Sequence, residues 1–190
     1  MATATAELLS IEEFLALPDS SEYELIDGEL KERCMAFKPA WVATRFSREL
    51  YAFAPAVEMG LIVGDGAPLA IFPARPRYAP RPDGLFISFE RLGSRIGPTA
   101  VLTVPPELVI EVVSPHDVAS DVEGKALAYL GAGVDTVWVA YPEQRTIHVY
   151  RRAGPFDLLT DGDILRGDGP LTGLEIAVSA LFGERTDPAA

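Results

Sequence analysis

The chain has 190 residues, and its 28 Asp and Glu against 16 Lys and Arg give a formal net charge of −12. At 48% hydrophobic and 23% charged residues the composition is that of a globular domain, which excludes a disordered chain, and no run approaches the roughly 20 apolar residues of a membrane span. The one cysteine, Cys34, excludes an internal disulfide and a thiolate zinc site, so a reducing cytoplasm is the expected setting.

Residues 1–7 have neither the basic start nor the long apolar stretch of a signal peptide. Ser10-Ile11-Glu12-Glu13 is a capping box, and Ile11, Phe14 and Leu15 fit one face of a short helix stopped before Pro18. Residues 22–26 and 29–33 flank Asp27-Gly28 and predict a tight hairpin. Pro39 opens a longer helix in which Trp41, Val42, Phe46, Leu50, Tyr51 and Phe53 recur at three- and four-residue steps. The short apolar runs 61–63 and 69–72, around Gly64-Asp65-Gly66, read as a second hairpin. Four prolines and three arginines in residues 73–82 predict an exposed loop.

Residues 85–87 and 107–113 are apolar almost throughout and read as buried strands, joined by a Gly- and Pro-containing connection over 91–104. A helix follows over 118–130, stopped by Gly131-Ala132-Gly133, then strands over 134–140 and 145–151. A further hairpin is predicted over 156–164, before a short segment 174–182. With no repeat, low-complexity tract or linker, the chain reads as one mixed α/β domain over 1–190, its core within about 10–182. The strands after residue 134 and the first hairpin offer edges that a homodimer would cover.

The densest basic patch is Arg75, Arg77 and Arg81, followed by Arg91 and Arg95. It falls short of the basic stripe of a protein that lives on non-specific phosphate contacts. The acidity serves solubility; were nucleic acid the substrate, metal ions or a local basic surface would have to offset the repulsion.

Three residues stand out chemically. Alternation along strand 107–113 puts Glu111 on one face with Val109 and Val113, opposite Leu108, Ile110 and Val112. A carboxylate among valines needs an ion pair, an edge position, a metal or a proton. Asp83 follows Arg81-Pro82 at the mouth of the next strand, a stiff approach that is either an ordinary Pro-Asp-Gly turn or a second carboxylate for Glu111. Lys125 lies four residues after Asp121, so it either pairs with Asp121 on the surface or turns inward to the carboxylates. Two carboxylates with a lysine are a minimum kit for metal-dependent phosphodiester hydrolysis: hard oxygen ligands suit Mg²⁺ (or Mn²⁺), and an ammonium positions the nucleophile or stabilises charge on phosphorus.

The stretches Tyr23-Glu24-Leu25-Ile26-Asp27-Gly28-Glu29-Leu30, Arg81-Pro82-Asp83 and Pro105-Pro106-Glu107-Leu108-Val109-Ile110-Glu111-Val112-Val113-Ser114-Pro115 resemble the Uma-two family of restriction-endonuclease-like proteins. Asp121, Lys125, Tyr129, Gly133-Val134, Trp138 and Pro142 extend the resemblance in order, from about Ser10 to Phe182. The family is similar to the PD-(D/E)XK nucleases, and the resemblance implies a mixed central sheet flanked by helices, with added β-hairpins. It also implies Asp83 and Glu111 as metal carboxylates, the Val112 carbonyl as a further ligand, and Glu24 as an acidic group holding a second metal or its water. The in-strand lysine of that pattern would fall at Val113, and the resemblance gives its role to Lys125. Where the family carries a histidine early in the long N-terminal helix, this chain has Trp41, and the preceding Glu32-Arg33-Cys34-Met35-Ala36-Phe37-Lys38 departs from the family's connection.

Of the remaining candidates, His116 reads as a solvated loop residue, His148 as facing solvent, and Trp41 and Trp138 as core rather than base-stacking platforms. The expectation is therefore a Mg²⁺-dependent endonuclease acting on DNA through Asp83, Glu111, Lys125 and Glu24. The alternatives are a catalytically inactive nuclease fold kept for binding or assembly, and a hydrolase of a small phosphoester.

Overall fold

The computed structural model describes residues 8–33, 36–93 and 101–183. Residues 1–7, Cys34 and Arg95, on which expectations were placed above, lie outside them. In chain order the elements are α1 (Ile11–Leu15), the hairpin β1 (Tyr23–Ile26) and β2 (Glu29–Glu32), α2 (Phe37–Ala52), α3 (Ala54–Met59), β3 (Gly60–Gly64) and β4 (Gly84–Ser88). Then come α4 (Phe89–Leu92), β5 (Leu108–Val112), α5 (Ala119–Gly131), β6 (Thr136–Tyr141), β7 (Thr146–Arg151), β8 (Asp157–Leu159), β9 (Ile164–Arg166), β10 (Glu175–Ala177) and α6 (Val178–Phe182).

Six strands form one central sheet in the order β3-β4-β5-β6-β7-β8. Only β5 and β6 run parallel, with α5 as their crossover; the other neighbours are antiparallel. This is the mixed sheet with flanking helices that was expected. Strand alternation divides the interior in two. Leu108, Ile110, Val112, Trp138 and Ala140 pack with α2, α3 and α6 on one face. Val109, Val137 and Val139 pack with Val122, Ala126 and Tyr129 of α5 on the other. Glu111 shares the second face, under α5.

Local chemistry sets the edges of these elements. The Ser10 side chain accepts from the Glu13 amide while Glu13 reaches back to the Ser10 amide, completing the capping box on α1. In the first hairpin Asp27 and Gly28 take φ values of 53° and 94°, the left-handed pair that a two-residue turn requires. The long helix begins at Phe37 and not at Pro39, because a proline in the first turn gives up an amide that has no helical partner in any case.

Three expectations are corrected. Residues 69–72 do not pair with β3, which instead runs antiparallel to β4 with Leu61 opposite Ile87. Leu69, Ile71 and Phe72 are buried as packing groups, and only Leu69 makes a bridge, to Leu102. Apolarity there reports burial without a ladder. The loop 73–82 is exposed at Pro73, Ala74, Pro76 and Arg77, but Tyr78–Pro82 is buried, because Ala79 exchanges two backbone hydrogen bonds with Leu25 of β1. Finally, residues 156–164 do not close a hairpin: β8 extends the central sheet while β9 pairs with β10. Among the described residues no helix is long and apolar enough to cross a membrane.

Candidate active site

Antiparallel pairing of β4 with β5 sets Gly84 opposite Ile110, so the next step along each strand sets Asp83 opposite Glu111. The Asp83 side chain turns back onto the ladder, and its Oδ2 accepts from the Val112 amide at 2.6 Å. Glu111 is on an interior strand, and both its oxygens are engaged. Oε1 accepts from the Tyr129 hydroxyl at 2.8 Å and Oε2 from Lys125 Nζ at 3.2 Å. Tyr129 lies four residues after Lys125 on the face of α5 that also carries Val122 and Ala126, so one helical stripe delivers both donors.

The fourth group arrives from outside the central sheet. Glu24 is on β1, and its Oε1 accepts from Lys125 Nζ at 2.9 Å and from the Arg81 amide at 2.7 Å. Arg81 is a clamp and not part of a surface basic patch. Its guanidinium donates to the backbone oxygens of Tyr23, Ser20 and Gly66 and lies 5.4 Å over the Phe14 ring. The buried segment 78–82 thereby carries the hairpin to the sheet and sets Glu24 beside Lys125.

Asp83, Glu111, Lys125 and Glu24, singled out from the sequence, all line one cleft together with Val112. The surface alternative for Lys125 is not realised: Asp121 pairs instead with Lys31 at 3.7 Å. Burial, and then the charge of Glu111, push the Asp83 carboxyl up to about 8, against the pull of the Val112 amide. Burial likewise raises Glu111, opposed by Lys125. Burial works against the Lys125 charge, but Glu111 and Glu24 outweigh it and hold the ammonium above the usual lysine value. Lys125 is thus a fixed cation at neutral pH and no proton acceptor.

Among the described residues no set of three or more His, Cys, Asp or Glu side chains is arranged to hold a metal ion. Two hard carboxylates at a strand end nonetheless fit Mg²⁺, which is held by one or two carboxylates and keeps several waters. Tyr129 was matched only through the family resemblance, with no role attached; its place four residues after a buried lysine is the signal that finds it. The other candidates lie elsewhere. His116 is exposed as expected. His148 is half-buried and not solvent-facing, because it packs 4.4 Å from the Tyr141 ring and 5.4 Å from Phe156. Trp138 is core, and Trp41 packs on the α2 side of the sheet under the Arg45 guanidinium.

The Uma2 family profile, described as "Putative restriction endonuclease", matches residues 11–179. Among solved structures, the chain is similar to one described as a putative nuclease belonging to DUF820 from Anabaena variabilis. The TM-score is 0.78 at 18% identity, over 92% of this chain and 97% of that one. That likeness is one of fold. No curated protein matches the chain.

Proposed function

From the premise that this chain belongs to the Uma2 family of restriction-endonuclease-like proteins, we propose that it is a Mg²⁺-dependent nuclease hydrolysing phosphodiester bonds of DNA. The observation that carries the reading is the meeting of Asp83, Glu111 and Lys125 in one cleft, from two adjacent strands and the crossover helix. Asp83, Glu111 and the Val112 carbonyl would hold the ion, Mn²⁺ serving as well as Mg²⁺. When bound, such an ion supplies Lewis acidity, activating water and neutralising charge that builds on phosphorus.

The protein's own groups do the rest. Tyr129 fixes the orientation of Glu111 through Oε1. Lys125, permanently charged and held by Glu24, orients the attacking water and stabilises the anionic oxygens of the phosphate. Water attacks phosphorus and gives up a proton to solvent, one P–O ester bond breaks, and the departing alkoxide takes a proton from solvent.

The experiment is cleavage of single-stranded and duplex DNA by the purified protein in Mg²⁺ and in Mn²⁺. Cleavage lost in Asp83→Ala and Glu111→Ala supports the proposal. Absence of cleavage with either ion, together with no ion bound at millimolar concentration, rejects it.

One observation favours a second reading, a nuclease fold retained for binding or assembly. Among the described residues, six acidic side chains line the cleft (Glu24, Glu32, Asp83, Glu111, Asp117 and Asp121) against four basic ones (Lys31, Arg33, Arg81 and Lys125). A site of that sign repels a polyanion unless metal ions compensate it. Under this reading the protein binds a partner with no Glu111-dependent uptake of Mg²⁺.

A further inference from the structure

Both oxygens of Glu111 accept from side chains of the protein itself, and the two donors differ in kind. Tyr129 is wholly buried in the core between α5 and the sheet, so its 2.8 Å bond to Oε1 is fixed by packing. Lys125 reaches Oε2 at 3.2 Å on a flexible four-carbon stem, and the same ammonium sits closer, at 2.9 Å, to Glu24 Oε1. A divalent ion at the strand mouth needs one oxygen of Glu111, and Oε2 is the one whose occupant has another carboxylate to hold it. Glu24 stands on the hairpin, outside the central sheet, where the Arg81 amide fixes the same Oε1.

We propose that Lys125 is the resident cation of the carboxylate cleft, and that a divalent ion enters by taking Glu111 Oε2 from it while Glu24 keeps the ammonium. Glu24 is then a positioning residue that acts through Lys125, and not a ligand of a second ion. This inference rests on the nuclease reading, since it concerns the ion that reading requires. It has a consequence of unexpected sign. The affinity for an ion is lowered by the fraction of molecules in which Lys125 occupies the oxygen. Removing the lysine, a change that abolishes catalysis under the proposed function, therefore tightens ion binding.

The test is calorimetric titration of the full chain with Mn²⁺ alone. Lys125→Met binds Mn²⁺ about tenfold more tightly than wild type, the effect expected of losing one adjacent like charge. Glu24→Gln binds it several-fold more weakly, because the ammonium then has only Glu111 to rest on. In the Lys125→Met background, Glu24→Gln has no further effect.

Wild-type or weaker affinity in Lys125→Met overturns the inference, as does a further loss when Glu24→Gln is added to it, which would make Glu24 a ligand. If wild type binds Mn²⁺ and Asp83→Asn abolishes binding, the metal reading survives such a result. If wild type takes up no Mn²⁺ at millimolar concentration, that reading itself fails first. Should Lys125→Met not fold, Lys125→Gln makes the same comparison. A variant that folds only when Mn²⁺ is added supports the proposal, and if neither lysine variant folds, unchanged affinity in Glu24→Gln overturns it.

Discussion

The segment that forms β5 carries a carboxylate near each end, four residues apart, and the two are solved in opposite ways. Glu107, 6% exposed, accepts from the Ser88 amide at 2.9 Å and the Ser88 hydroxyl at 2.6 Å, with Arg91 Nε at 3.2 Å. Arg91 also pairs with Asp135, which Arg152 meets from β7's end. Two acids there face two guanidinium groups. At the other end Glu111 and Glu24 share the ammonium of Lys125, and Asp83, whose carboxyl burial and the charge of Glu111 push up, accepts from the Val112 amide. Burial is common to both ends; balance is not. A buried acid whose neighbours satisfy it is architecture, whereas a surplus of carboxyl groups is a standing demand for a proton or a further cation.

The largest effects that test this contrast are on activity. Glu111→Gln and Asp83→Asn should each lower DNA cleavage by about a hundredfold or more, while the metal-free proteins melt no lower than wild type. The amide oxygen at 111 can still accept from Lys125 while its NH2 donates to a Tyr129 hydroxyl turned to accept, and the amide at 83 removes a carboxyl that burial and Glu111 disfavour. Millimolar Mg²⁺ should raise the melting temperature of wild type and leave Asp83→Asn unmoved, with chelation reversing the gain. If either variant unfolds readily without metal, the two ends do not differ as described.

Glu107→Ala is the mirror experiment. It strands the Ser88 amide and hydroxyl and leaves Arg91 short of one partner, at a cost of about 2–4 kcal/mol in denaturant unfolding. Cleavage per folded molecule should stay at the wild-type level. A selective loss of cleavage without loss of stability would place function at the wrong end of the strand.

The two carboxylates were not equally legible in the sequence. Glu111 stands out because it interrupts an apolar alternation, and the same alternation gives its face correctly. Glu107 sits at the head of the run after two prolines, where an acid looks like an ordinary boundary, and its partners come from Ser88 and Arg91 across a long connection. The hairpin carrying Glu24 was readable from Asp27-Gly28, but its attachment to the sheet was not. That depends on Arg81 turning inward and on Ala79 bridging Leu25, in a segment whose prolines suggest only exposure. Strand partners suffered likewise, since residues 69–72 have the composition of a strand and are buried without pairing. Pattern reports what is hidden; it does not report what covers it.

Tyr129→Phe sharpens the comparison at smaller scale. Removing one hydroxyl leaves Glu111 Oε1 without its donor while the ring keeps its place. Ion affinity should fall by about tenfold, as for other groups that orient a ligand, and stability by about 1 kcal/mol. Calorimetry with Mn²⁺ and thermal melts read the two separately. Unchanged affinity would mean that Lys125 alone orients Glu111.

The smallest effect asks whether balance matters without burial. Asp27, at the exposed hairpin turn, is paired with Arg75 through two hydrogen bonds at 2.9 and 2.6 Å. That hydrogen-bonded guanidinium holds the Asp27 carboxyl below its ordinary value. A carboxyl depressed in the folded state contributes stability above its unfolded pKa of ~3.9, and the contribution is lost as pH falls through the folded value. The stability difference between wild type and Asp27→Asn should therefore be flat near neutrality and shrink only below about pH 4. Salt should diminish it, because solvent screens an exposed pair. A difference as large as that of Glu107→Ala would make charge pairing alone, wherever it occurs, the determinant of stability. A small one leaves burial as the factor that turns an acid–arginine pair into a strut.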